Sequence, residues 1–295
     1  MRERIISGLV IALLVVLFGI AGGPALGAAM MLCALIGYHE LVTVTGAVGG
    51  SRDIREIGKF RPELLETAGL CMTVIYYTGL MVLSHRRGDV LTIMQAQDRY
   101  TLGILICTFF VFMLVYVLTF PRYHGEQIMS SLFAFLYVPV LLSFVYRARI
   151  LPYGLFIYAL IFVSSSICDV CALAAGMAFG RHKMAPELSP KKTVEGAIGG
   201  VAGAAATAFL VALAVHAVDP DADVRVAFTV IGACAAVFGM TGDLAASAIK
   251  RNHGIKDYSN LIPGHGGILD RFDSIIFTAP VIWLLGALLI LPGIG

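Results

Sequence analysis

The sequence is poor in charged residues. Asp, Glu, Lys and Arg make up only 14% of its 295 residues, whereas they make up about 25% of an average soluble domain. Hydrophobic residues account for 59%, and no polar stretch is long enough to bury a separate soluble core. The shortage of charge excludes an ordinary soluble protein and predicts an all-α, polytopic membrane protein.

Several common catalytic signatures are also missing. The sequence has no G-x-x-x-x-G-K phosphate loop, no G-x-S-x-G turn and no H-E-x-x-H metal motif, because His39-Glu40 lacks the second histidine. The six cysteines lie in apolar runs and are interpreted as small buried hydrophobic residues. Cys168 and Cys171 form a C-x-x-C pair, but without a second pair of ligands packing is favoured over a zinc or redox role.

Long apolar runs predict about nine transmembrane helices, since a spanning helix needs about 20 mostly apolar residues. Arg2 and Arg4 precede the first run as in a signal peptide, but the run is long for a signal and is expected to be retained. The first five spans fall within residues 1–150 and the last four within 151–295, which together are expected to form one continuous membrane domain. The predicted spans are 5–22, 24–44, 67–84, 101–120, 127–146, 154–180, 195–217, 225–250 and 273–291.

The distribution of Lys and Arg predicts the orientation of these spans. With the N-terminus in the cytosol, 15 of the 21 basic residues fall in cytosolic segments and 6 fall outside. Cytosolic loops carry an excess of Lys and Arg, so we expect a cytosolic N-terminus and an outside C-terminus. The expected location is the bacterial inner (plasma) membrane.

The densest group of charges lies between Ser247 and Asp273. It holds four cations, three carboxylates and two histidines in 27 positions. Just upstream, Asp243, Ser247 and Lys250 are spaced i, i+4 and i+7, which places them on one face of a helix. Asp270 and Asp273 are spaced i and i+3, so a helix that begins near them carries both on one side.

Carboxylates within the membrane are costly and therefore mark candidate functional sites. Asp169 and Asp243 lie in spans that end at predicted cytosolic loops, which suggests a wet pocket reached from that side. Magnesium prefers one or two carboxylates together with water and substrate phosphate, and Asp243, Asp270 and Asp273 are the candidate ligands. Structural pairing of Asp169 and Asp243 with a helix cation is the alternative.

Residues 181–196 have the composition of a phosphate-binding loop. Arg181, Lys183, Lys191 and Lys192 supply positive charge, and Thr193 stands just ahead of a glycine-rich helix start. Free N–H groups and the helix dipole favour phosphate at such a start. Contact with anionic lipid would also explain the cations, but it leaves the carboxylates unexplained. The glycines that follow predict close helix packing and are Gly196, Gly199, Gly200 and Gly203.

These two regions together resemble the phosphatidate cytidylyltransferases, the CDP-diacylglycerol synthases. Cys171 and Leu173 stand where a small residue and an aromatic one are expected. The downstream match comprises Ser247, Ile249, Lys250, Arg251, Lys256, Asp257, Ser259, Ile262, Pro263, His265, Gly266, Gly267, Ile268, Asp270, Arg271, Phe272 and Asp273. The upstream match comprises Asp169, Ala172, Gly176, Phe179, Gly180, His182, Lys183, Ser189, Pro190, Lys191, Lys192, Thr193, Glu195 and Gly196.

The resemblance implies a membrane-embedded nucleotidyltransferase that uses CTP and phosphatidic acid, with Mg²⁺ and room for a second cation. It also implies a homodimer, and no nucleic-acid partner is expected. The residues expected in catalysis, the first three of them as metal ligands, are Asp243, Asp270, Asp273, Lys250, Arg251 and Arg271. Those expected to bind substrate are Asp169, Lys183, Ser189, Lys191, Lys192, Thr193, Glu195, Ser247, Lys256, Asp257, His265, Gly266 and Gly267.

Two other functions remain open at this point. A CTP-dependent kinase of a polyprenol or phytol would also need cations and a metal, but its alcohol acceptor would require a general base. A cation-coupled transporter would also place carboxylates in the membrane, although such proteins more often show broken helices and paired repeats.

Overall fold

The computed structural model describes residues 2–46, 63–85, 88–262, 264 and 266–291. Within them the chain forms α-helices joined by short connections, with one small hairpin. The helices are α1 (Arg2–Ala21), α2 (Gly23–Val44), α3 (Leu64–Ser84), α4 (Val90–Leu118), α5 (Gly125–Phe135), α6 (Leu141–Ala148), α7 (Gly154–Phe179), α8 (Val194–Val218), α9 (Arg225–Asn252) and α10 (Leu269–Ile290). The hairpin strands are β1 (Lys183–Ala185) and β2 (Ser189–Thr193).

The predicted all-α, polytopic membrane fold is confirmed. Among the described residues, eight helices are long and apolar enough to cross a membrane, and Ser7–Ala21 is a shorter apolar helix within α1. α5 continues through a π-helical turn (Leu136–Val140) into α6, and the combined helix Gly125–Ala148 is one of the eight. The orientation of the termini stays a prediction.

Two details differ from the sequence-based expectation. α4 begins at Val90 rather than near residue 101, because its helix continues through a polar stretch that precedes the apolar run. The two-stranded antiparallel hairpin in the loop before α8 was not expected; it pairs Lys183 with Thr193 and Ala185 with Ser189.

The chain divides into two compact units. The first comprises residues 1–146 and 255–271, and the second comprises residues 147–254 and 272–295. The segment 255–271 groups with the first unit, whereas the sequence placed it beside the C-terminal spans. The predicted boundary between residues 150 and 151 stays a prediction.

The core of the first unit contains buried tyrosines, among them Tyr76 and Tyr77, whose hydroxyl groups are hydrogen-bonded. The hydroxyl groups of Tyr76 and Ser143 form a hydrogen bond of 2.9 Å. The Tyr77 hydroxyl donates to the carbonyl oxygen of Pro139 at 3.2 Å. Pro139 lies inside the π-helical turn. A proline within a helix has no N–H to donate and clashes with the preceding turn, and a wider turn accommodates it.

The second unit is built on a close approach of α7 and α8. A Cβ atom at Gly200 would lie 2.9 Å from the carbonyl oxygen and sulfur of Cys168, and one at Gly196 would lie 2.7 Å from the carbonyl oxygen of Ala172. Only glycine permits this backbone approach, so the close packing predicted for the seventh span is confirmed.

Candidate functional site

A cavity of about 530 Å³ lies in the second unit. Its walls come from the C-terminal half of α7, the hairpin, the first turn of α8 and one methionine of α9. The lining residues are Asp169, Ala172, Leu173, Gly176, Met177, Gly180, Lys183, Met184, Ser189, Lys191, Lys192, Thr193, Gly196, Ala197 and Met240. Six of the predicted substrate-binding residues therefore line one cavity.

The N-terminus of α8 forms part of this cavity. Thr193 is the N-cap residue, and its Oγ1 accepts a hydrogen bond of 3.1 Å from the N–H of Gly196. The helix start predicted from Thr193 and the following glycines is therefore confirmed. Unpaired N–H groups and the helix dipole give such a terminus a positive potential, so it is suited to bind an anion.

A lysine and two aspartates meet beside the cavity. Lys192 Nζ forms an ion pair with Asp243 Oδ2, and the two side chains are 24% and 32% exposed. Asp169 lines the cavity and interacts electrostatically with both Lys192 and Asp243. The structure thus brings together the two intramembrane aspartates and one of the predicted phosphate ligands.

Glu195 is held by the backbone that leads into the hairpin. Its carboxylate accepts hydrogen bonds from the N–H of Arg181 at 3.1 Å and from the N–H of His182 at 3.2 Å. The ring nitrogen Nδ1 of His182 lies 2.6 Å from the same carboxylate. These contacts tie Glu195 to the backbone ahead of the hairpin, and its predicted role in substrate binding stays a prediction.

The end of α9 holds a second group of predicted residues. Ser247 and Lys250 are half-buried and Arg251 is exposed, all in the last two turns of the helix. In the same unit α9 packs closely on α10, since a Cβ atom at Gly242 would lie 2.6 Å from the carbonyl oxygen of Asp273. Gly242, which directly precedes Asp243, therefore contacts Asp273. The Oδ1 atom of Asp273 accepts from the N–H of Ser274 at 2.7 Å.

The remaining predicted residues belong to the first unit. Asp270 is 8% exposed, and its Oδ2 accepts from the N–H groups of Tyr258 at 2.8 Å and Gly267 at 3.0 Å. Ile262 and Gly266 close the intervening loop with an isolated antiparallel bridge. The exposed charged residues of this region are Lys256, Asp257 and Arg271. The predicted residues His265 and Pro263 lie outside the described part of the chain.

Glu40 was not among the predicted site residues. It lies on α2, is 1% exposed, and accepts hydrogen bonds from Ser259, Ile268 and Leu269. The signal was present in the sequence, because Glu40 falls within the span predicted at 24–44 and intramembrane carboxylates are functional candidates.

The acidic residues fit a magnesium ion that shares its ligands with substrate. Among the described residues, no three His, Cys, Asp or Glu side chains converge as a ready-made metal cage. Magnesium rarely uses such a cage and is usually bound by one or two carboxylates with water and phosphate. Asp243 is half-exposed beside a cavity lined with lysines, so the donor set suits this mode of binding.

Comparison with known proteins gives the family. A model described as the cytidylyltransferase family matches residues 2–289. The chain belongs to the cytidylyltransferase family. The resemblance drawn from the two charged regions is therefore confirmed, and it extends to the N-terminal helices, in which those motifs do not lie.

Curated relatives of this cytidylyltransferase family member carry the name phosphatidate cytidylyltransferase. The Thermotoga maritima protein is 29% identical over 288 residues, which are 96% of this chain and 95% of the relative. The Staphylococcus aureus (strain COL) protein is 32% identical over 225 residues, or 76% and 78% of the two chains. The Bacillus subtilis protein is 41% identical over 138 residues, and that alignment covers 46% of this chain and about half, 49%, of the relative.

Proposed function

We propose that this protein transfers the cytidylyl group of CTP to phosphatidic acid, giving CDP-diacylglycerol and pyrophosphate. The observation that carries the proposal is the cavity of the second unit, where three lysines and the N-terminus of α8 lie beside Asp169 and Asp243. Relatives that align along most of their length are named for this reaction. A cavity with lysines and a helix N-terminus suits a nucleoside triphosphate.

The reaction does not require an activated side-chain nucleophile. A phosphate oxygen of phosphatidic acid is already ionised near neutral pH, and it forms a bond to the α-phosphorus of CTP. The bond from that phosphorus to the β-phosphate oxygen breaks, and pyrophosphate leaves with the bonding electrons. The protein's task is to bring two polyanions together and to stabilise the charge that develops.

The cations of the second unit perform that task in the proposal. Lys183, Lys191 and Lys192 bind the triphosphate of CTP, with Thr193 holding the start of α8 in place. Lys250 and Arg251 at the end of α9 neutralise further phosphate charge, and arginine offers a bidentate geometry to phosphate oxygens. The remaining predicted contributors to substrate binding or catalysis are Asp169, Ser189, Ser247, Lys256, Asp257, His265, Gly266, Gly267 and Arg271.

Asp243 would hold Mg²⁺, and the other two predicted ligands, Asp270 and Asp273, stay predictions. When bound, the ion would neutralise phosphate charge and polarise the phosphorus–oxygen bonds. The Lys192–Asp243 pair supports this assignment, because a half-exposed carboxylate can exchange a lysine for a metal ion.

The proposal also includes the setting of the reaction. Phosphatidic acid enters sideways from the inner leaflet, its acyl chains remaining in lipid, and the site faces the cytosol of a bacterial cell. The protein acts as a homodimer in the inner membrane and has no nucleic-acid partner. Chemical cross-linking of the protein in native membranes, compared with cross-linking of the purified form, tests the oligomeric state.

The deciding experiment incubates the purified protein with CTP labelled in the α-phosphate and with phosphatidic acid, with and without Mg²⁺. We expect label in CDP-diacylglycerol, release of pyrophosphate and loss of both products when the metal is chelated. A lipid kinase would instead give phosphorylated alcohol and CDP from a polyprenol or phytol. Ion flux into liposomes without nucleotide would support the transporter, and either result without CDP-diacylglycerol would overturn the proposal.

A further inference from the structure

Glu40 joins α2 to a segment more than two hundred positions away in the sequence. Its Oε1 accepts from the hydroxyl of Ser259 at 2.6 Å and from the N–H of Ile268 at 3.1 Å. Its Oε2 accepts from the N–H of Leu269 at 2.8 Å. Leu269 is the first residue of α10, so Glu40 satisfies a free N–H group at a helix start from outside the helix.

The approach of the Glu40 carboxylate depends on a glycine. A Cβ atom at Gly267 would lie 2.5–2.7 Å from the carboxylate atoms of Glu40. Any other residue at this position would displace either the carboxylate or the backbone. Gly267, one of the residues expected to bind substrate, therefore lies against an anion of the protein itself.

Three consecutive backbone N–H groups are divided between two carboxylates. The N–H of Gly267 donates to Asp270 at 3.0 Å, while the next two, of Ile268 and Leu269, donate to Glu40. Glu40 and Asp270 also interact as like charges. A hydrogen-bonded carboxylate is stabilised by its donors, so the shared backbone segment holds both groups in place and couples their positions.

We infer that Glu40 is a positioning residue for the cytidylyltransferase reaction. It fixes Ser259, Ile268 and Leu269, and through the neighbouring Gly267 N–H it fixes the orientation of Asp270, one of the predicted catalytic carboxylates. The inference rests on the proposed function only for its consequence in catalysis. The mechanical part, that Glu40 orders the 258–270 segment, stands on the contacts alone.

The test compares Glu40→Gln with a matched buried carboxylate. Glu66 on α3 is 0% exposed and is bound to His39, which also lies in the first unit. Both changes replace a buried carboxyl group with an amide, but only Glu40→Gln removes an acceptor from residues that follow Ser259 in the chain. The glutamine keeps the shape, but its NH₂ group replaces one carboxylate oxygen and cannot accept, so the N–H of either Leu269 or Ile268 loses its partner.

Two readouts separate positioning from general stability. In Glu40→Gln we expect kcat to fall about 10- to 100-fold, as for other residues that orient a metal-site ligand, with the KM for CTP changed less than about 3-fold. We also expect backbone hydrogen exchange to accelerate about 10-fold or more across residues 258–270. Glu66→Gln should leave kcat and the exchange of this segment at the wild-type level.

Ser259→Ala extends the test with a milder change. It removes one of the three donors to Glu40, so kcat should fall by only about 3-fold. The double variant Glu40→Gln with Ser259→Ala should lose no more activity than Glu40→Gln alone, because the two residues act through one contact. If Glu40→Gln is not stably folded, unchanged exchange in Ser259→Ala overturns the inference, and faster exchange confined to the segment supports it.

The outcomes are distinguishable from a failure of the proposed function. Wild-type exchange rates at residues 258–270 in Glu40→Gln, or an equal loss of kcat in Glu66→Gln, would overturn the positioning role. A wild-type protein that makes no CDP-diacylglycerol would overturn the function. In that case the exchange comparison would still decide whether Glu40 orders the segment.

Discussion

The two units use buried or membrane-embedded carboxylates in different ways. In the second unit Asp243 is paired with the flexible side chain of Lys192 beside an open cavity. In the first unit Glu40 and Asp270 are almost fully buried and accept hydrogen bonds mainly from backbone N–H groups. The first kind of partner can move away, and the second cannot without unfolding the segment.

This difference separates Asp243, which can meet substrate, from Glu40, which holds a segment of the protein in shape. A lysine that leaves a carboxylate can bind a phosphate instead, and the carboxylate is then free for a cation. When a carboxylate leaves several buried backbone donors, those N–H groups lose their partner, and each unsatisfied group costs about 1–3 kcal/mol. Substitutions in the second unit should therefore alter chemistry and binding first, whereas those at Glu40 should alter local order first.

The largest effect is expected for Asp243→Asn. The amide keeps the size of the side chain but removes the charge needed for the metal and for Lys192, so kcat/KM should fall by at least about 100-fold. Labelled CDP-diacylglycerol, measured across a magnesium titration, checks this, and the unfolding temperature checks that the variant folds. Asp221→Asn, at an exposed carboxylate between α8 and α9, is the control and should be fully active. Near-normal activity of Asp243→Asn would remove the distinction between the two kinds of carboxylate.

The next effect is expected for Lys192→Met. A hydrogen bond to a charged group is worth about 1.5–3 kcal/mol, so loss of one phosphate contact should raise the KM for CTP about 10- to 100-fold. Lys192→Arg keeps the charge, so it should raise the KM for CTP less than Lys192→Met does. Lys191→Met, on the exposed side of the same strand, should have a smaller effect than Lys192→Met. An unchanged KM in Lys192→Met would mean that its pairing with Asp243 is purely structural.

Much of the fold was predictable because its causes are local. A spanning helix needs a continuous apolar run, and Thr193 before Val194-Glu195-Gly196 marks a helix start by its own side chain. The small residues of α8 follow one face of the helix, so their contact with α7 was also predictable. Each of these inferences needs only neighbouring residues.

The features that were not predicted depend on contacts between distant segments, or lie where the local sequence favours two different structures. The Glu40 contacts join positions far apart in the chain, and no local pattern pairs α2 with Leu269. The hairpin forms in a charged loop in which Pro190 argues against a strand. Apolarity alone placed the start of α4 too late, because a helix continues through polar residues outside the membrane.

A smaller effect is expected where α7 and α8 approach beside the cavity. In Gly196→Ala the new Cβ would lie 2.7 Å from the Ala172 carbonyl oxygen. Overpacking costs about 1–3 kcal/mol, and the gain in helix propensity returns about 0.5–1 kcal/mol, so the net loss of stability should be about 1 kcal/mol. Gly103→Ala is the matched control, since its Cβ meets nothing within 4 Å, and it should be neutral or slightly stabilising. Equal stability of the two variants would contradict the tight helix contact.

The smallest effect is expected at Asp223, which neither lies beside the cavity nor is buried against backbone N–H groups. Asp223 is exposed before α9, and its hydrogen bonds with Arg225 lower the pKa of Asp223 from 3.8 to about 2. A lowered folded-state pKa contributes stability that is present above the ordinary pKa and is lost as the pH falls through about 2. In Asp223→Asn we expect the unfolding temperature to match the wild type below pH 2 and to fall slightly short of it above pH 4, with activity at pH 7 unchanged. Arg225→Gln should likewise reduce the change in unfolding temperature between pH 2 and pH 4, because it removes the other member of the pair. The pair is exposed and screened by solvent, so its contribution to stability should be small. A loss of stability in Asp223→Asn as large as that in Gly196→Ala would show that exposure and the type of partner do not distinguish these carboxylates.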